Sequence, residues 1–194
     1  MKRLLGLSSS MPHATFAEGD RVSLHPLEEA DLEFVTEGVN HPQVRGLVGQ
    51  SVPTSLSRER RYFAEMNERT DAVQLLVTAD DERVGVVELD PIDRETGVAD
   101  LAVWIHPDRR RGGLAREAVA LVVDYAFSEL RLHKVTANAY AANDASRKLL
   151  DSLGFVEEGV GREDAFFDGA YHDTHYFGVL EREWTARETA DEHE

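Results

Sequence analysis

The chain has 194 residues, 42% of them hydrophobic, no cysteine, and a formal net charge of −16 from 37 Asp and Glu against 21 Lys and Arg. That length fits one domain with residues enough for a core, and the missing cysteines exclude disulfides, thiolate–zinc sites and cysteine nucleophiles. The charge opposes nucleic-acid phosphates and anionic membrane surfaces, and no apolar run approaches the roughly 18 residues of a membrane helix.

The first segment, residues 1–18, holds an apolar stretch of only Leu4 to Leu7. A signal-peptide core needs about 7–15 such residues, so we read a flexible extension on a cytoplasmic protein. One domain is expected over 19–184, and the polar, acidic residues 185–194 read as a disordered tail. Only Lys2, Lys134 and Lys148 are lysines. Many carboxylates with little lysine resemble proteins of a salt-adapted cytosol, where screening shortens repulsion.

From residue 21 the pattern becomes regular. "RVSLHPL" (21–27) alternates as a strand, and "EEADLEFVTEGVN" follows as a short helix closed by Asn40 and Pro42. "SLSRERRYFAEMNER" (55–69) is a serine-capped helix whose Tyr62, Phe63 and Met66 are expected in the core. "VQLLVTA" (73–79) and "RVGVVELD" (83–90) read as a hairpin across "DDE". "GVADLAVWIH" (97–106) is apolar at nearly every position and is expected to be buried on both faces. A helix over 112–130, a strand over 134–140 and a helix over 143–154 come next. Asn143 can cap the last helix and Gly154 can stop it. Two strands around Asp168–Gly169 close the pattern. The order β α α β β β α β α β β is that of an α/β chain with hairpin-linked strands and one β–α–β crossover.

That crossover contains "HPDRRRGGLAREA" (106–118). The N–H groups of a helix's first turn have no intrahelical partners and carry the positive end of the helix dipole. Gly112 and Gly113 let backbone approach a ligand without a Cβ. Such a turn suits a diphosphate. It lacks the Lys–Ser/Thr of a Walker loop and the spacing of a dinucleotide fingerprint.

Arg110-x-x-Gly113-x-Ala115 resembles the (Gln/Arg)-x-x-Gly-x-(Gly/Ala) signature of the GCN5-related N-acetyltransferases (GNAT). Arg111 stands where that signature usually has its first glycine. "NDASRKLLDSLGF" is similar to the second signature, N-x-x-S with a later Gly-Phe. "FFDGAYHDTHYFGVL" and "LHPLEEADLEFV" resemble the closing strand and the opening of the RimJ/RimL branch, which acetylates protein N-termini. The resemblance covers roughly residues 20–180, in order. It implies a mixed, mostly antiparallel sheet of about seven strands flanked by helices, splayed to hold acetyl-CoA. The backbone of Arg110, Arg111, Gly112, Gly113, Leu114 and Ala115 would cradle the pyrophosphate, with Arg109, Arg110 and Arg111 offering charge. Val103, Trp104 and Ile105 would pair with the pantetheine arm, and Asn143 would hydrogen-bond it.

The reaction implied is direct attack of an amine on the thioester. Leu150 occupies the position of the tyrosine that protonates the thiolate in many members, which leaves Ser146 as the candidate acid beside its capping role. Glu88, on a strand face with Val84 and Val86, leads as base; Asp100, Glu163 and Asp164 stay open. His172 and His175 lie three apart on a strand, so they should face opposite ways and make no metal site. The expected acceptor is a protein N-terminal α-amine. The alternatives are a small amine or a non-catalytic acyl-CoA sensor. The exposed final strand suits a homodimer.

Overall fold

The computed structural model describes residues 14–110 and 112–184. Most of the expected extension, the acidic tail and Arg111 lie outside the described residues. The chain runs β1 (Ala17–Glu18), β2 (Ser23–Pro26), α1 (Leu32–Asn40), α2 (Pro42–Arg45), α3 (Leu56–Asn67), β3 (Val73–Ala79), β4 (Glu82–Asp93) and β5 (Val98–Ile105). It continues as α4 (Leu114–Ser128), β6 (Lys134–Tyr140), α5 (Asp144–Ser152), β7 (Val156–Phe167) and β8 (Ala170–Leu180). Among the described residues the strands form one eight-stranded sheet in the order β1-β2-β3-β4-β5-β6-β8-β7. Only β5 and β6 pair parallel, because only they are joined by a crossover helix, α4. No described helix is long and apolar enough to cross a membrane.

Turn chemistry sets the hairpins. Asp80 and Asp81 both have positive φ (51° and 59°), as do Asp168 and Gly169 (49° and 78°), the geometry of two-residue turns whose twist matches the strands. Gly154, at φ 77°, ends α5 as its position predicts.

Two cores hold the sheet. On one face α4 buries Ala118, Val119, Val122, Val123, Ala126 and Phe127 against Val84, Val87, Leu101, Val135 and Val179. On the other, α1 and α3 cover a smaller cluster of Leu27, Leu32, Val35, Leu76 and Val86, with Phe34, Phe63 and Trp104 packed on it. The aspartate of the opening motif, Asp31, is fully buried; it accepts from Glu28 N at 2.9 Å and Arg83 Nε at 2.7 Å. A buried ion pair survives only when its remaining valences are met in this way.

The structure corrects several expectations. Ala17–Glu18 belong to the sheet: β1 pairs with β2, and just before it Phe16 N donates to Leu24 O. Pro42 stops α1 and also starts α2, where its fixed φ and missing N–H suit a first helical position. Tyr62 is exposed, whereas Glu59 is buried. Leu56, Glu59, Phe63 and Met66 form the inward stripe at helical spacing, and Tyr62 falls beside it. Val84 joins the α4 core while Val86 lies on the opposite face, because a bulge between Val77/Thr78 and Arg83/Gly85 inserts Val84. Finally, β5 is not buried on both faces: Ala102 is exposed.

Gly38 marks how closely α1 meets β5. A Cβ there would stand 2.3 Å from Trp104 Cη2, whose ring stacks on Phe34. Overpacking costs about 1–3 kcal/mol and the helix-propensity gain of alanine returns up to about 1. Gly38→Ala is therefore expected to lose about 1–2 kcal/mol in a chemical denaturation experiment.

Candidate active site

β5 and β6 pair from Val98↔Lys134 only as far as Leu101↔Ala137. Beyond that point they part, although both continue, to Ile105 and Tyr140. β5 stays zipped to β4 on its other side, through Ala102, Val103, Trp104 and Ile105. His106 N donates to Val84 O at 2.8 Å. Because peptides alternate sides along a strand, those of Trp104 and Ala102 also face β4, and those of Val103 and Ile105 face the gap. Ile105 O is taken by Arg110 Nε at 3.1 Å. Val103 is left with both its peptide groups on the open edge. Of the three strand residues expected to meet pantetheine, the structure places Val103 and Ile105 at the gap and turns Trp104 toward β4.

The gap leads to the start of α4. Gly112 and Gly113 have φ of 115° and 81°, and a Cβ at Gly113 would meet nothing within 4 Å. Glu117 N closes the first helical bond, to Gly113 O at 3.1 Å. Leu114, Ala115 and Arg116 thus hold first-turn N–H groups at the helix's positive end. These residues fit a diphosphate. The arginines behave differently from the expectation: Arg109 pairs with Glu82, and Arg110 bends back to Ile105 O and Gln43 O, the latter at 3.1 Å. Burial lowers the pKa of Arg110. Neither guanidinium is directed by these contacts toward the cradle.

On the face away from α4, one transverse row crosses the sheet where it opens. Gln74 pairs with Glu88, and Glu88 with Ala102. The parallel register puts Asn138 level with Ala102, and Asn138 pairs with Tyr176. Tyr176 Oη donates to Asp164 on β7, and this bond, above all, raises the tyrosine pKa. Asp100 lies one step below the fork and accepts from Thr136 Oγ1 at 2.6 Å. A cavity of about 390 Å³ opens over the Asn138–Tyr176 end of this row, walled also by Gln50, Ser51, Tyr140, Asp164 and Phe167, among others.

Glu88 accepts from Gln74 Nε2 at 3.1 Å. Its carboxyl is pushed above the ordinary range, chiefly by burial; the Gln74 bond opposes this, and the charges of Asp90 and Glu59 add to it. Glu59 is raised by burial too. Desolvation of the hydroxyl first, and then the charges of Glu88, Asp90 and Glu59, push Tyr62 up to about 12. At the head of α5, Asn143 Oδ1 accepts from Ser146 N (3.2 Å) and Asn143 Nδ2 donates to Ser146 Oγ (2.8 Å). Ser146 thereby keeps its own hydroxyl proton to direct elsewhere. Leu150 is buried in the main core. Glu163 N donates to Asp173 Oδ1 at 2.8 Å. Among the described residues no group of three His, Asp or Glu is arranged for a metal; His172 and His175 leave β8 on opposite faces, as their spacing predicts.

Tyr176, Asn138 and Glu59 escaped the sequence reading. Two had a signal: "KVTANAY" alternates so that Asn138 must face away from Ala137 and Ala139, and Glu59 interrupts an apolar helical stripe.

A forked sheet ending at a glycine-opened helix, with carboxylates on the open face, defines an acyl-CoA-dependent transferase. Residues 21–156 match the family described as acetyltransferase (GNAT) domain, and the chain belongs to it. It is an acetyl-CoA-dependent N-acetyltransferase. It is 30% identical over 125 residues to "Putative ribosomal N-acetyltransferase YdaF" of Bacillus subtilis, covering 64% of this chain and 66% of that one. It is 26% identical over 168 residues to a spermidine N(1)-acetyltransferase of Vibrio cholerae, covering 86% and 97%. The crystal structure of spermidine N-acetyltransferase from Vibrio cholerae in complex with CoA and spermine superimposes with a TM-score of 0.82 at 24% identity, covering 86% of this chain and 99% of that one.

Proposed function

We propose that the chain acetylates a primary amine of a small aliphatic polycation, of the polyamine class, bound on the polar row. The observation that carries this reading is the distribution of carboxylates: Glu88 on β4, Asp100 on β5 and Asp164 on β7 flank the fork, with Glu59 behind Glu88. Successive ammonium groups on a flexible chain would each meet an anion, and a partly dry face strengthens such attraction. The likeness to a spermidine acetyltransferase over nearly its whole length supports it.

Acetyl-CoA, when bound, supplies an activated thioester carbonyl and a thiolate leaving group. Val103 N–H, on the open edge, is placed to polarise a carbonyl lying in the gap. Glu88 takes the amine proton, a role for which a pKa raised above the ordinary carboxylate range makes it a stronger base. Ser146 holds a hydroxyl proton at the head of α5 for the departing sulfur.

The protein N-terminal α-amine is the second reading. It is supported by the RimJ/RimL-like motifs and by the cavity mouth between residues 46–51 and the β7–β8 hairpin, where a continuing peptide has an exit. The final strand, expected as the exposed edge, is β8, which is paired on both sides, to β6 and to β7; the exposed edge is β7, and it is this strand that would serve a homodimer. Lysine-poor acidity suggests a salt-adapted source. Thiol release from acetyl-CoA, measured in low and molar salt with spermidine, spermine, ribosomal-protein N-terminal peptides and single amino acids, decides the acceptor. Polyamine turnover at least tenfold above the peptides in kcat/KM is expected. A peptide preference would replace the first reading with the second, and acetyl-CoA binding without thiol release for any amine would establish a sensor.

A further inference from the structure

The phosphate cradle receives a cation from far away in sequence. Arg21, in the β1–β2 turn, donates from Nη1 to Gly112 O, and its Nη2 lies 3.0 Å from where a Cβ of Gly112 would stand. Among the described residues no carboxylate is within ion-pair distance of this guanidinium; its one partner is a carbonyl. Its position is built. Glu117, in the first turn of α4, accepts from Arg21 N at 2.7 Å and Val22 N at 3.2 Å. A Cβ at Gly19 would fall 2.3 Å from Glu117 Oε1, so the turn approaches this carboxylate through a glycine. Glutamate at a helix N-terminus is itself favourable. The turn 19–22 is thus clamped on α4, and its arginine is laid against the first glycine of the cradle.

We propose that Arg21 is a phosphate-binding residue of the acetyl-CoA site, with Glu117 as its positioning residue. Arg109 and Arg110 spend their guanidinium groups on Glu82 and on backbone carbonyls. Arg21 spends one of five N–H donors on Gly112 O and holds the rest of its planar guanidinium beside Gly112, two residues before the first helical residue. Its bond to Gly112 also turns that carbonyl, a repulsive group for a phosphate, toward itself. The proposal rests on acetyl-CoA as donor and on nothing about the acceptor.

The test compares wild type with Arg21→Ala and Arg21→Gln; glutamine can still donate to Gly112 O but carries no charge. Calorimetric binding of CoA, 3′-dephospho-CoA and pantetheine is measured alongside the kcat/KM ratio of acetyl-CoA to acetyl-pantetheine. Both variants should bind CoA roughly ten- to hundredfold more weakly, the effect of one charge-assisted contact. Pantetheine affinity should not follow, and the acetyl-CoA preference should fall by the same factor. If the loss persists with 3′-dephospho-CoA, the partner is the diphosphate; if it vanishes, the partner is the 3′-phosphate. Unchanged CoA affinity in Arg21→Gln overturns the proposal. So does an equal loss with pantetheine, which would mark Arg21 as a brace of the loop alone.

Discussion

Glutamate in place of Gly113 is expected to abolish acetyl-CoA binding while leaving the fold nearly intact. Gly113 is at φ 81°, so any side chain there carries strain of the order of 1 kcal/mol. An added Cβ meets no protein atom within 4 Å, so nothing in the free protein has to move. The new carboxylate would sit on the first-turn N–H groups of α4 and satisfy them, recovering about 0.3–1 kcal/mol from the helix dipole. These are the groups available to the diphosphate. One anion would occupy the place of another and repel it. CoA should therefore stabilise wild type in a thermal melt, by a margin that grows with concentration, and leave the variant unmoved. Gly113→Ala, which adds strain and no charge, should weaken binding only modestly. Wild-type affinity in the glutamate variant would place the cradle elsewhere.

The reason this turn could be read in sequence is that its chemistry is local. Helix start, glycines and unpaired N–H groups lie within ten residues, and the element expected to meet the ligand is backbone. β6 likewise occupies the residues its alternation predicts, 134–140. Charge was legible there but direction was not. Three consecutive arginines promise a positive turn, yet Arg109 and Arg110 are claimed by Glu82, Ile105 and Gln43, from other parts of the chain. Among the described residues, the guanidinium that meets Gly112 comes from 91 residues away. The open face shows the same limit. Alternation assigns Asn138 a face, but only the register of four strands puts it level with Glu88, Ala102 and Tyr176. "GVADLAVWIH" reads as doubly buried because the residues that border the fork, 102–105, carry no charged side chain. Its exposed edge is peptide, which the sequence does not distinguish.

Glu88→Gln is expected to lower kcat about a hundredfold or more, the effect of removing a general base, with acceptor KM little changed. The substitution is isosteric and keeps a hydrogen-bonding group beside Gln74, so packing of the row is preserved. The pH profile identifies the role. Burial, with help from Asp90 and Glu59, raises the Glu88 pKa in the folded chain. A base must be deprotonated, so the wild-type rate should climb with pH through a midpoint above the ordinary carboxylate range, and the variant should lose that limb. Stability moves the other way. A raised folded pKa means that the folded state holds its proton more tightly than the unfolded one. The resulting stabilisation is complete below the unfolded pKa and is lost as pH rises through the folded value. Above its folded pKa wild type thus carries a buried charge at a cost, and there Glu88→Gln should melt higher than wild type. The difference should close as the pH is lowered toward the unfolded carboxylate range. A residue that served only the fold would instead melt lower when replaced and leave the pH–rate profile unaltered. Should Asp100→Asn, in place of Glu88→Gln, remove the limb, the base is the aspartate held by Thr136 one step below the fork.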